Sequence, residues 1–250
     1  MREHPTWQPL RDALDRLADA GRAVDFWLRD DDAVAPTEAL DRLLTMTASH
    51  GMPLTLAVVP SKSGEPLAER LAGRPDVEVA VHGWSHANHA PPHDKKQELG
   101  PHRPRRVVLA DLARGLRHLS DLHGEALLPM LVPPWNRIDP GLIDALPELG
   151  FEMLSTFGPA RPAPLAVLNA TVDIIDWHGT RSCRDPASLV VEIVGQLEQV
   201  KPAPIGLLGH HLVHDEACWR FLEDAFAATT GHPAARWRSA RVLCQPRARP

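Results

Sequence analysis

Short apolar runs rich in Val, Ile and Leu alternate along the chain with longer stretches in which apolar residues recur every three or four positions, the periods of strands and of amphipathic helices. The runs predict seven strands, at residues 24–28, 54–59, 77–81, 128–132, 153–156, 172–175 and 205–208. The longer stretches predict helices at 37–49, 66–71, 107–122, 140–149, 186–200 and 218–227, with one more at 11–20 before the first strand. Several open with Pro or with Asp or Thr in a capping position. Alternation of strands and helices is the sign of a parallel sheet or barrel with helical crossovers. Residues 1–22 are expected to form a helix packed on the barrel, 23–230 the barrel itself and 231–250 a solvated, arginine-bearing tail. The one long irregular stretch, 87–106, is rich in Pro, His, Lys and Arg and reads as a functional flap or a disordered segment.

Composition narrows the class. A chain of 250 residues with 44% hydrophobic and 24% charged side chains carries an ordinary core, which excludes global disorder. The net charge of -5 argues against nucleic acid or an anionic membrane as partner. Three well-separated cysteines, Cys183, Cys218 and Cys244, read as thiols of a reducing compartment. With no apolar segment of spanning or signal-peptide length in sight, a cytoplasmic location is expected. Two excesses stand out: 25 prolines, and 14 histidines, of which five fall within 82–102 and three within 210–214.

The polar clusters fall at strand ends. Asp30-Asp31-Asp32 follows the first predicted strand, His82-Gly-Trp-Ser-His86 the third, Pro133-Pro-Trp-Asn136 the fourth, Asp176-Trp177 the sixth and Gly209-His-His211 the last. In a β/α barrel the C-terminal strand ends share one face, so these clusters converge on one site. Adjacent acids at such an end serve either as a solvated turn or as a metal ligand beside a general base. His82 and His86 have the spacing of two ligands to a divalent cation such as zinc, and two histidines with one carboxylate leave positions open for water. Neighbouring strand residues point to opposite sides, so only one of His210 and His211 is expected to face the site, as a general acid. Trp135 and Trp177 are placed to wall a small apolar pocket or to stack on a sugar ring. His89, His93 and His102 read as exposed loop residues.

Taken in order, these motifs resemble the polysaccharide deacetylases of the NodB-homology type, carbohydrate esterase family 4, over roughly residues 25–215. The family's Thr-Phe-Asp-Asp-Gly looks like Arg29-Asp-Asp-Asp-Ala33, its His-Ser/Thr-x-x-His like His82 to His86 with Gly83 at the hydroxyl position, and its Arg-x-Pro-Trp/Tyr-Gly like Val132-Pro-Pro-Trp-Asn136. Its Asp-x-x-Asp-Trp matches Asp173-Ile-Ile-Asp-Trp177, and its Leu-x-His looks like Leu208-Gly-His210. The resemblance implies a distorted (β/α) barrel of about seven parallel strands and hydrolysis of an acetyl group from a carbohydrate. It makes Asp31 the base, with Asp30 and Asp31 as base and ligand in the register shifted by one. Asp32, His82 and His86 become the ligands of a divalent cation, Zn2+ first and Co2+, Mn2+ or Ni2+ as alternatives. His210 becomes the acid, with His211 the alternative, and Asp176 orients it. Trp135, Asn136, Trp177 and Leu208 line the substrate position. Val132 replaces the arginine that orients the base, a role open to Arg137 or Arg29. A related amidohydrolase acting on a small non-sugar C–N bond and a non-catalytic sugar-binding homologue are the competing readings.

Overall fold

The computed structural model describes residues 5–245. Its elements, in chain order, are α1 (Gln8–Asp19), β1 (Val24–Ala33), α2 (Glu38–His50), β2 (Leu54–Val58), α3 (Glu65–Leu71), β3 (Val77–Val81), α4 (Arg105–His123), β4 (Leu127–Leu131), α5 (Pro140–Ile143), β5 (Met153–Leu154), β6 (Ala166–Val167), β7 (Val172–Asp173), α6 (Pro186–Leu197), β8 (Ile205–Gly209), α7 (Glu216–Thr229), β9 (Ala235–Trp237) and α8 (Ala240–Cys244). The nine strands form one sheet in the order β6-β5-β4-β3-β2-β1-β8-β7, with β9 paired to the start of β1. Every pairing is parallel. The sheet curls into a distorted β/α barrel with helices outside it.

Alternation along the strands divides the core in two. On β1, Phe26 and Leu28 pack with helix residues such as Leu40, Leu44, Phe221 and Phe226 in a large outer cluster, whereas Trp27 lies in a smaller one with Ala57, Ala80, Met130 and Leu208, inside the curl. Helix positions are set by capping: Thr37 accepts the Leu40 N–H at the start of α2, Asp185 the Ser188 N–H at α6, and Asp215 the N–H groups of Ala217 and Cys218 at α7. Gly51 ends α2 in the left-handed conformation that a side chain would disfavour. α1 lies against α6 and α7, and Trp7 just before it stacks on Phe221 with ring centroids 5.3 Å apart. Among the described residues no helix is long and apolar enough to cross a membrane.

Several expectations are corrected. The predicted helix at 140–149 stops at Ile143 and resumes as a 3-10 turn at Pro147–Leu149, because Pro147 has no N–H to continue the ladder. β6, two residues after a proline-rich stretch, gave no periodic signal. The segment read as a tail is part of the fold up to residue 245, and only 246–250 of it lies outside the described residues. β9 pairs with Val24, Asp25 and Phe26, Arg236 and Arg238 ion-pair with Asp25, and Ala240 is fully buried. Trp237 packs on Phe26 and Phe226 at 5.5 and 5.3 Å, and its Nε1–H donates to Thr229 Oγ1 at 2.9 Å. Trp237→Ala is expected to lower the free energy of unfolding by about 2–4 kcal/mol, somewhat below the cost of emptying a fully buried aromatic site, since Trp237 is partly buried. Urea titration checks this, and an unchanged midpoint contradicts the placement of the strand.

Candidate active site and metal centre

β1 runs on through the acids, and its alternation assigns each one a side. Arg29 and Asp31 continue the inner face begun by Trp27, while Asp30 continues the outer face of Phe26 and Leu28. Asp32 would follow Asp30 outward, but the pairing with β2 slips between Asp30 and Ala33 and Asp32 takes a left-handed φ of 73°. This bulge re-aims its carboxylate, the use to which bulges beside active sites are commonly put.

Asp32 Oδ1 stands 3.1 Å from His82 Nε2 and 3.1 Å from His86 Nε2, and a ligand atom from each residue lies within 4.8 Å of the others. His82 sits at the end of β3, fully buried, with Nδ1 2.9 Å from the Val132 carbonyl. That contact fixes the ring with Nε2 toward Asp32, the orientation that suits a metal-ligating imidazole. The donor set therefore fits a divalent cation. Burial alone would raise the Asp32 pKa, but the hydrogen bond from His82 and the charges of His82, His86 and His210 outweigh it and hold the carboxyl well below the usual range. His86 is pushed down, mainly by burial.

Arg29, fully buried, lies against Asp31. Its Nη2 donates to Asp31 Oδ2 at 3.1 Å, and its Nε stands 3.0 Å from Oδ1 as a charge contact without hydrogen-bond alignment. The guanidinium is fixed in turn by Asn136 Oδ1 at 2.7 Å, Ser155 Oγ at 2.7 Å and the Thr156 carbonyl at 3.1 Å. Arg137 is elsewhere, donating to the Lys96 carbonyl at 2.8 Å. Asn136 thus serves Arg29 through its Oδ1 atom. Trp135 and Asn136 both have left-handed φ, 55° and 56°, and the Trp135 ring lies 4.3 Å from that of His86.

On the other side, alternation along β8 puts Leu208 and His210 on the inner face. Leu208 is fully buried in the interior cluster and offers substrate no surface, which corrects its expected contact. The His210 ring meets the Trp177 ring edge-on at 4.7 Å. Its backbone N–H donates to His214 Nε2 at 3.1 Å, an acceptor kept neutral because burial pushes His214 down to about 4. His211 points outward: it is fully buried, ion-paired through Nδ1 with Asp30 Oδ1, and its N–H donates to Asp30 Oδ2 at 2.9 Å. Asp30 and His211 are therefore turned away from the Asp31–Asp32 side, as the parity of their strands requires.

Asp176 does not reach His210. Its exposed carboxylate closes a turn, accepting the N–H groups of Gly179 at 3.0 Å and Thr180 at 2.9 Å. Asp173, the first acid of the same motif, is the one that turns inward. It accepts the Trp177 indole N–H at 2.9 Å and the Ile175 N–H at 2.9 Å. Burial raises its pKa, opposed by those bonds and by the charge of His210. Ser155, Asp173 and Glu98 are the polar residues that sequence reasoning passed over; Asp173 alone carried a signal, its place in Asp-x-x-Asp-Trp.

No family model matches the chain, and no curated protein matches it. Solved structures do. A putative polysaccharide deacetylase from Mycobacterium smegmatis superposes with a TM-score of 0.68 at 16% identity, over 89% of this chain and 90% of that one. A family 4 carbohydrate esterase from Streptomyces lividans, in complex with acetate, gives 0.57 at 14% identity over 85% and 91%. A family 4 acetyl xylan esterase from Clostridium thermocellum, in complex with a cobalt ion, gives 0.56 at 17% over 88% and 89%. The chain has the fold of these deacetylases and esterases.

The buried Asp30–His211 pair makes stability depend on pH in a defined window. Burial opposes both charges, but the pairing wins: Asp30 lies below its ordinary 3.8 and His211 above its ordinary 6.5. The Asp30 contribution is complete above 3.8 and is lost as pH falls through its folded value. The His211 contribution is complete below 6.5 and is lost as pH rises through its folded value. The stability difference between the protein and a His211→Gln variant, read from urea midpoints, is expected to be largest between about pH 4 and 6.5. A difference that grows steadily above pH 7 contradicts the pairing.

Proposed function

We propose that the protein is a metal-dependent hydrolase that removes an acetyl group, N- or O-linked, from a carbohydrate. The observation that carries this reading is a carboxylate held beside the ligand set but outside it: Asp31 is fixed by Arg29, one residue from Asp32 and its two imidazoles. A bound divalent cation, Zn2+ first with Co2+, Mn2+ or Ni2+ as alternatives, would supply Lewis acidity and a more acidic water. The acetate and cobalt in the two esterase structures of the same fold agree with such chemistry.

Asp31 takes the proton of the attacking water, and Arg29, locked by Asn136 and Ser155, keeps its carboxylate oriented. His210, steadied by the Trp177 ring, delivers a proton to the departing amine or alcohol. Asp173 acts through Trp177, whose indole it holds. Trp135 and Trp177 flank the place of the acetyl group, and a backbone N–H near Trp135 meets the developing oxyanion. The three unbridged thiols fit a reducing compartment, and we place the protein in the cytoplasm.

Acetate release from N-acetylated chitooligosaccharides and O-acetylated xylan tests the proposal. Chelation should abolish it and Zn2+ restore it. Asp31→Asn should lower kcat by about 10²–10⁴ while the protein still takes up metal, whereas Asp32→Asn should lose the metal. Full activity of Asp31→Asn contradicts the assignment. His210→Gln should cost at least tenfold more on an amide than on an activated aryl acetate, whose leaving group needs no proton. Equal losses on both substrates would remove His210 as the acid.

A further inference from the structure

A further buried carboxylate lies behind the histidine loop, and nothing in the mechanism above uses it. Glu98 belongs to the 87–106 flap, yet it is fully buried. Its carboxylate accepts three successive backbone N–H groups: Trp84 at 3.3 and 3.4 Å, Ser85 at 2.8 Å and His86 at 3.0 Å. It also accepts the Ser85 hydroxyl at 3.0 Å. Arg103, the nearby cation, donates to the Glu98 main-chain carbonyl and to Asp111 instead. The negative charge is balanced by a nest of backbone dipoles, and that nest is the loop joining His82 to His86.

Gly83 admits the carboxylate. Its φ is +62°, and a Cβ built there would lie 2.3 Å from Glu98 Oε2 and 2.6 Å from Pro134 Cγ. A side chain at this position would meet both, and the group that orders the loop comes instead from the flap. The loop needs such ordering, because His86 has a left-handed φ of 54°, which a histidine adopts only at a cost. Three N–H groups drawn to one carboxylate define the turn that holds His86 Nε2 against Asp32.

We propose that Glu98 is a positioning residue for the metal centre, setting the conformation of the 83–86 loop and through it the approach of His86. This rests on the metal-site reading above. The role is one layer out from the ligands, where substitutions commonly cost 10- to 100-fold in metal affinity.

Co2+ titration of the metal-free protein, followed by its visible absorption and by competition with a chelator, tests this without any assay of activity. Glu98→Gln keeps the shape but turns an amide N–H2 toward backbone donors. It should lower Co2+ affinity about 10- to 100-fold and alter the absorption envelope. Trp237→Ala, destabilising but remote from the loop, should leave both unchanged. Affinity within twofold of the parent in Glu98→Gln, or an equal loss in Trp237→Ala, overturns the proposal. Hydrogen exchange on the parent protein needs no variant to fold. The amides of residues 84–86 should exchange at least tenfold more slowly than those of 92–96, and equal rates overturn the proposal as well. If the parent takes up no Co2+, the hydrolase reading falls together with this one; uptake that Glu98→Gln leaves intact overturns this one alone.

Discussion

Three adjacent carboxylates at the end of a buried strand repel one another, two of them buried and the third half-buried, and most of the polar architecture answers that problem. Each acid has its own partner, reached in its own direction: Asp30 outward to His211, Asp31 inward to Arg29, and Asp32, turned by the bulge, to His82 and His86. Breaking a buried pair by removing one partner leaves an uncompensated charge, a far larger penalty than the pair's net worth. The partners come from β1 itself, β3 with its loop, and the segment after β8. The acid triplet thus ties together strands that are distant in sequence.

Backbone strain falls in the same place. Of the five non-glycine residues with left-handed φ among the described residues, Asp32, His86, Trp135 and Asn136 surround the proposed centre. Such conformations persist only where neighbours over-determine them, and here the neighbours are visible: imidazoles on Asp32, Glu98 on His86, Arg29 on Asn136. The site is therefore built before any ligand arrives, with strain held by hydrogen bonds of the protein itself.

How much of this was legible in the sequence follows from the range of the interactions concerned. Strands with a strong local pattern, β3 and β8 above all, could be read from their apolar runs, and the helices from their periodicity and caps. β6 and β9, two and three residues long, exist because a neighbour pairs with them, which no local pattern reports. In the site, the side of each acid could be read from strand parity, but the inward turn of Asp32 depends on a slip against β2. Arg29 was one of two open choices, and the Asn136 and Ser155 contacts that hold it against Asp31 come from 107 and 126 residues away. Asp173 and Asp176 share a motif, and only the turn closed by Gly179 and Thr180 separates their duties. Glu98 had no signal, since a lone glutamate in a basic flap looks like any solvated one.

The pairing of β9 with the first residues of β1 has a consequence for synthesis. β1 carries the acids but receives β8 only about 170 residues after its end and β9 about two hundred. On the ribosome its outer acid waits without its imidazole and its opening residues without their last neighbour, although the ligand residues of the centre have already emerged. Its last acid partner arrives late, and a nascent chain interrupted before about residue 211 leaves Asp30 without its imidazole.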